Sequence, residues 1–181
     1  MDVTLEVLLK AQQGDMDAQN ALMCSLYTPV YHFLRKRTGH QETADELCQN
    51  VFLKCYERLN HYDQRSGTVY TWVFTIARNT LIDHYRKHQS ESVADLSEIP
   101  SSGREADTSH DSAARLDARF VAKLLERLPE LEADVVTLRA INEMPYTEIS
   151  KIIKKRESAV RQIYSRALKK LRVFAQETQS L

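Results

Sequence analysis

Glycine and proline are scarce, with four of each in 181 residues. A turn-rich β fold needs many more, so the shortage favours helices. The glycines, at positions 14, 39, 67 and 103, all fall where an apolar pattern stops. No run approaches the roughly 18 apolar residues of a membrane span. The opening "MDVTLEVLLK" lacks the basic segment that begins a secretory signal. A soluble, cytoplasmic chain with no membrane insertion is expected. The three cysteines, Cys24, Cys48 and Cys55, include no CxxC pair. Buried free thiols are the expectation for them. His84 and His88 have helical spacing, but no acidic or cysteine ligands complete a metal set. No nucleophile–base pair and no phosphate-cradling glycine loop is found. Catalysis is therefore not expected, and neither a cofactor nor a metal.

What is present is apolar material for a core, at 43% of residues, and charge that is balanced overall but unevenly placed. Residues 1–88 hold ten basic and ten acidic side chains. Residues 89–115 hold two and six, and residues 116–181 hold thirteen and nine. A neutral total thus conceals a basic C-terminal part, which leaves nucleic acid open as a partner. The acidic stretch contains seven serines and little apolar content. It reads as a flexible, self-repelling linker.

Helical periodicity fills the rest. Four helices are expected before the linker: Val3–Gln13, Asp17–Arg37, Glu42–Leu59 and Val69–His88. The second should bury Ala21, Leu22, Leu26, Val30, Phe33 and Leu34, with Pro29 as a kink. The third carries an unbroken stripe of Ala44, Leu47, Cys48, Val51, Phe52, Cys55, Tyr56 and Leu59. Four more helices should follow: Leu116–Leu128, Pro129–Asn142, Tyr146–Ile153 and Glu157–Ala175. Proline suits the first turn, which sets two of those starts. The fold class is all-α: two small helical domains, 1–88 and 116–181, joined by a flexible acidic linker at 89–115.

Three surfaces stand out. The stretch "YTEISKIIKKRESAVRQIYSRALKKLR" has nine basic residues against two Glu. Its last helix should bury Val160, Ile163, Tyr164, Ala167, Leu168 and Leu171. The opposite face then holds Arg161, Gln162, Ser165, Arg166, Lys169 and Arg172. A short helix, a turn and a longer helix with such a face follow the helix-turn-helix plan for DNA. A solvated basic face on an ordinary bundle fits the same periodicity. On the third helix Leu53 lies off the apolar stripe, among Asp45, Glu46, Gln49 and Asn50. It is either a lone exposed leucine or the anchor of a protein contact. The loop "NHYDQRSGT" and the helix after it bring an aromatic residue near basic ones, a combination suited to an unstacked base. Trp72 reads as core rather than as a stacking platform, from its helical register.

These stretches resemble the bacterial RNA polymerase sigma factors of the extracytoplasmic-function group within the sigma-70 family. "TADELCQNVFLKCYERLNHYD" resembles the helix that binds the polymerase β′ clamp. "TWVFTIARNTLIDHYRK" resembles the −10 helix. "LPELEADVVTLRAINEMPYTEISKIIKKRESAVRQIYSRALKKLR" is similar to the domain that reads the −35 element. The resemblance implies core contact by Asp45, Glu46, Gln49, Asn50 and Leu53. It implies −10 contact by Tyr62, Asp63, Arg65, Thr68, Arg78, Asn79, Arg86 and Lys87. It implies −35 contact by Lys155, Arg156, Ser158, Arg161, Gln162, Ser165, Arg166 and Lys169. The implied partners are core RNA polymerase (β′ clamp and β flap), promoter DNA and an anti-sigma factor.

Departures from the family pattern are also legible. Thr43 stands where the clamp motif begins with an acid, Asn50 where Glu is usual, and Tyr56 where Trp is common. Thr43 is a candidate phosphosite, since a phosphate would restore negative charge near a helix start. A helix cap is the plainer reading of the same residue. The helix-turn-helix turn, usually Leu-Gly-Ile-Ser, is Ile153-Lys154-Lys155-Arg156. A dimeric regulator that binds palindromic DNA unaided, and a helical adaptor that binds none, are the rival classes.

Overall fold

The computed structural model describes residues 5–94, 120–121 and 123–179. Every regular element among them is helical. Helices α1 (Leu5–Gln12), α2 (Met16–Thr38), α3 (Gln41–Arg58) and α4 (Val69–Ala94) form the N-terminal unit. Two short 3-10 turns, Leu59–His61 and Gln64–Ser66, link α3 to α4. The C-terminal unit has helical residues at 120–121 and 123–126. It continues with α5 (Glu130–Val136), a π-helical turn (Thr137–Ile141), α6 (Tyr146–Ile152) and α7 (Glu157–Gln179). Most of the expected linker, at 95–115, and the start of the helix expected from Leu116 lie outside the described residues.

Local chemistry sets the boundaries. The Asp15 carboxylate accepts the Ala18 amide at 2.9 Å and caps α2. Gly39 ends α2 in the left-handed region, φ 71, where a β-carbon is disfavoured. Pro129 and Pro145 stand just before α5 and α6. Helix α4 runs past the expected end at His88 to Ala94. The expected single helix from Pro129 to Asn142 is instead α-helical to Val136 and π-helical after it. The Thr137 carbonyl accepts the Asn142 amide at 3.1 Å, five residues on.

The N-terminal core is built from Leu22, Leu26, Val30, Phe33 and Leu34 of α2, the α3 stripe, and Val73, Phe74, Ala77 and Leu81 of α4. The rings of Phe33 and Phe74 meet edge-on at 5.7 Å. Phe74 is fully buried. Other expectations need correction. Ala21 is exposed rather than inward. Tyr56, placed on the α3 stripe, sits at its rim, where its hydroxyl meets Asn20 Oδ1 at 3.2 Å. Cys24 is exposed, whereas Cys48 and Cys55 are buried.

The two units are docked. Val135, Leu138, Met144, Ile149 and Ile152 join the same buried cluster as the N-terminal helices. The Asn142 side-chain amide donates to the Pro29 carbonyl at 3.0 Å, across the junction. A smaller cluster of Leu125, Leu128, Ala133, Val136 and Ala167 belongs to the C-terminal unit alone. No helix among the described residues is long and apolar enough to cross a membrane.

Candidate nucleic-acid interface

Three surfaces emerge from these elements, and each begins with a helix register. On α3 the buried stripe forces the remaining positions outward. Leu53 is 58% exposed. Glu46, Gln49 and Asn50 are exposed beside it, and Asp45 is half-buried. Lys54 is not free on that face, because its ammonium donates to Thr80 of α4 at 3.0 Å. A large exposed aliphatic group ringed by amides and carboxylates suits an apolar anchor with a polar rim. Helix α3 starts at Gln41 with His40 in the cap position. Thr43 therefore lies inside the first turn, half-buried, and is not the cap.

The loop before α4 is held from within. Tyr62 is only 7% exposed, its hydroxyl donates to the Gly67 carbonyl at 2.7 Å, and its ring lies 5.2 Å from Trp72. Expected among the base-contacting residues, Tyr62 here has its ring turned inward, where it braces the loop. Trp72 is half-buried and packs against the core. Asp63 accepts the Arg65 amide at 2.9 Å and pairs with its guanidinium at 2.9 Å, which holds the Asp63 carboxyl below its ordinary value. The Arg65 side chain is 91% exposed. Thr68 and Asn79 are exposed, as are Arg86 and Lys87, and Arg86 is loosely paired to Asp83 at 3.5 Å.

Arg78 does not project to solvent. Its Nε donates to Asp134 Oδ2 at 2.8 Å. Arg37 donates to the other oxygen of that carboxylate at 2.9 Å. Asp134 is 0% exposed, and Arg37 is buried with it. The expected role of Arg78 at DNA is thus unavailable in this docked arrangement. The Thr68 hydroxyl also reaches Glu148 of α6, at 3.4 Å. Neither Arg37 nor Asp134 stood out in the sequence. The only signal was an acid inside the apolar run "ADVVTL", a position where an unpaired carboxylate is costly.

On α7 the expected face is realised. Val160, Ile163 and Ala167 are buried, while Arg161, Gln162, Ser165, Arg166, Lys169 and Arg172 are exposed. Lys155, Arg156 and Ser158 extend that surface into the turn. Arg161 is positioned by two partners. It donates to Glu157 at 2.5 and 3.1 Å, and its guanidinium sits 4.4 Å above the Tyr146 ring. Lys154 adopts φ 53 at the position where the family pattern has glycine.

The sequence matches the family model for sigma-70 region 2 over residues 22–91 and that for sigma-70 region 4 over residues 121–171. It is 27% identical over 174 residues to the ECF RNA polymerase sigma factor BldN of Streptomyces coelicolor. That match covers 92% of this chain and 64% of BldN. It is 29% identical over 145 residues to the ECF RNA polymerase sigma factor SigM of Bacillus subtilis, covering 80% of this chain and 87% of SigM. Among solved structures it resembles CnrH bound to the cytosolic domain of CnrY, with a TM-score of 0.76 at 22% identity. That likeness covers 97% of this chain and 99% of the other. It also resembles the sigma factor RpoE of Bartonella quintana bound to the anti-sigma factor NepR, with a TM-score of 0.75 at 18% identity over 87% of this chain and 96% of the other.

Proposed function

Because the chain belongs to the sigma-70 family, carrying its region 2 and region 4 in order, we propose that it binds core RNA polymerase and directs it to particular promoters. Within that family the chain supplies contacts and base capture, and the polymerase performs the chemistry. The observation that carries the reading is the pairing of the two matched regions with two solvent-facing surfaces of suitable chemistry. One is the Leu53 face of α3, exposed with its polar neighbours. The other is the basic and amide-rich face of α7.

Roles follow from chemistry. Leu53 fills an apolar pocket on the polymerase clamp, with Asp45, Glu46, Gln49 and Asn50 at the rim. Arg65, Asn79, Arg86 and Lys87 serve the −10 element, joined by Arg78 once it is released from Asp134. Arg161, Gln162, Ser165 and Arg166 approach base edges of the −35 element, where Arg suits guanine and Gln suits adenine. Lys155, Arg156 and Lys169 neutralise phosphates. An anti-sigma partner, the kind named for the structural neighbour from Bartonella quintana, is part of this proposal.

The test is run-off transcription with purified bacterial core polymerase on fragmented genomic DNA. Defined transcripts should appear only when chain and core are both present, without an ATP-driven activator. Tight binding of a palindrome by the chain alone, with no transcripts, points to the regulator class instead.

A further inference from the structure

We propose that Gln12 of α1 is a positioning residue for −10 recognition: its side-chain amide braces the loop at 59–68 from beneath, so that the outward groups of the loop are in place before a base arrives. The inference rests on the proposed sigma reading, which gives this loop to the −10 element.

Helix α1 precedes residue 22, where the match to region 2 begins, and none of the contacts proposed above lies on it. Gln12 Nε2 donates to the Leu59 carbonyl at 3.1 Å and to the Tyr62 carbonyl at 2.8 Å. Both partners are acceptors, so only the NH2 end of the side chain satisfies them. The two carbonyls flank the 3-10 turn Leu59–His61, one at its start and one just past its end. The Leu59 carbonyl also accepts the Tyr62 amide, at 3.1 Å. One side chain thus ties both ends of the turn to α1.

The brace is itself anchored. Leu8 and Ala11 bury the inner face of α1. The Gln19 side chain donates to the Ala11 carbonyl at 2.9 Å and fixes the end of α1 against α2. From the braced turn the order passes along the loop. Tyr62 is held at its carbonyl by Gln12, and its hydroxyl donates to the Gly67 carbonyl at 2.7 Å. Asp63 caps the second turn. The Thr68 hydroxyl accepts the Thr71 amide at 3.1 Å, where α4 begins. His61, Asp63, Gln64, Arg65 and Thr68 are left exposed. A loop ordered beforehand loses little entropy when it captures a base. Without the brace, a captured base must also order the loop, while a base that the loop does not capture is unaffected. The signature is therefore lost discrimination between bases.

The experiment uses the full chain as wild type, Gln12→Met and Gln12→Lys. Met keeps the length and removes the donor, and Lys restores one. Gln12→Ala takes the place of Gln12→Met should that variant fail to fold by circular dichroism. Hydrogen–deuterium exchange reads the loop without reference to function. The amides of 59–67 should exchange faster in Gln12→Met than in wild type, with those of α7 unchanged. Holoenzyme made with bacterial core polymerase then binds a forked fragment of a promoter found by run-off. Its −10 non-template strand is single, and each −10 base is replaced in turn. In Gln12→Met the affinity ratio of native to replaced base should fall about fivefold at one position or more, the worth of one net hydrogen bond. Gln12→Lys should hold that ratio within about twofold of wild type. A ratio does not depend on how much of the chain is folded, so lost stability alone does not move it. Faster exchange with an unchanged ratio would make Gln12 merely structural and overturn the proposal. So would unchanged exchange in Gln12→Met, or a Gln12→Lys no better than Gln12→Met. If exchange rises as expected but no form of the chain supports run-off, the sigma reading fails and takes the −10 role with it, while the Gln12 brace on the loop stands.

Discussion

Leu53 separates folding from binding within a single side chain. It is 58% exposed and belongs to neither buried cluster, so Leu53→Asp should change stability by no more than about 0.5 kcal/mol. A buried anchor in a partner's pocket is worth about 2 kcal/mol or more, so affinity for core polymerase should fall by about thirtyfold or more. Thermal melts and core titration of the same preparation check both halves. Loss of helix in the variant would mean that Leu53 is structural. The position was legible because seven neighbours on α3 obey the helical period and Leu53 does not. Arg37 and Asp134 were not legible, because each looks ordinary until the other is beside it. The cysteines give a second residue-scale prediction. Burial pushes the Cys48 thiol up to about 11 and Cys55 up to about 12. Both thiols stay protonated and shielded at neutral pH, whereas Cys24 is exposed. An aromatic disulfide reagent should titrate one thiol in the native chain and three in denaturant. Because both folded values lie above the ordinary 9.0, this contribution to stability is complete below about pH 9. It is lost as the pH rises through about 11 to 12.

The pair α6 and α7 shows what one turn can cost an element. The family pattern puts glycine where this chain has Lys154, and the backbone keeps the left-handed shape, φ 53, regardless. A β-branched-free side chain can adopt that shape, but at a penalty of about 1 kcal/mol. Lys154→Gly should recover about that amount and raise the melting temperature by about 2–4 °C. It also removes one cation from the basic surface, so the slope of log affinity for promoter DNA against log salt should shrink by about one charge. Unchanged stability with an unchanged salt slope would place Lys154 outside both roles. Arg161→Ala belongs to the same element. Tyr146 and Glu157 hold that guanidinium in place, so the loss should be about 1–3 kcal/mol and confined to the base it reads. A loss equal on all sequences would assign Arg161 to phosphate. Helix ends were readable here because Pro145 and the apolar period of α7 mark them. The π-helical turn at Thr137–Ile141 was not, since hydrogen bonding five residues on leaves no compositional trace.

At the scale of the whole molecule, the sequence divides into two units and the structure joins them. Composition reveals where apolar residues concentrate, but not that Ile149 and Ile152 pack into the same cluster as Phe33 and Phe74. The polar junction is equally hidden, because Arg37 and Asp134 lie 97 positions apart. Joining has a thermodynamic consequence. Units that share one core and one buried charge cluster should unfold together. The chain has a single tryptophan, Trp72, which lies in the N-terminal unit against Tyr62. Far-UV circular dichroism reports the helices of both units. In a urea titration of wild type the two signals should therefore trace the same transition. Asp134→Asn removes the junction's only buried carboxylate among the described residues and leaves each unit's interior intact. The C-terminal unit is the smaller and buries a smaller fraction of its surface when alone, so it should unfold first. Dichroism should then begin to fall at a lower urea concentration than Trp72 fluorescence. Signals that already diverge in wild type would mean that the shared cluster does not couple the units. Signals that still coincide in Asp134→Asn would mean that Ile149, Ile152 and their neighbours couple them without the ion pair.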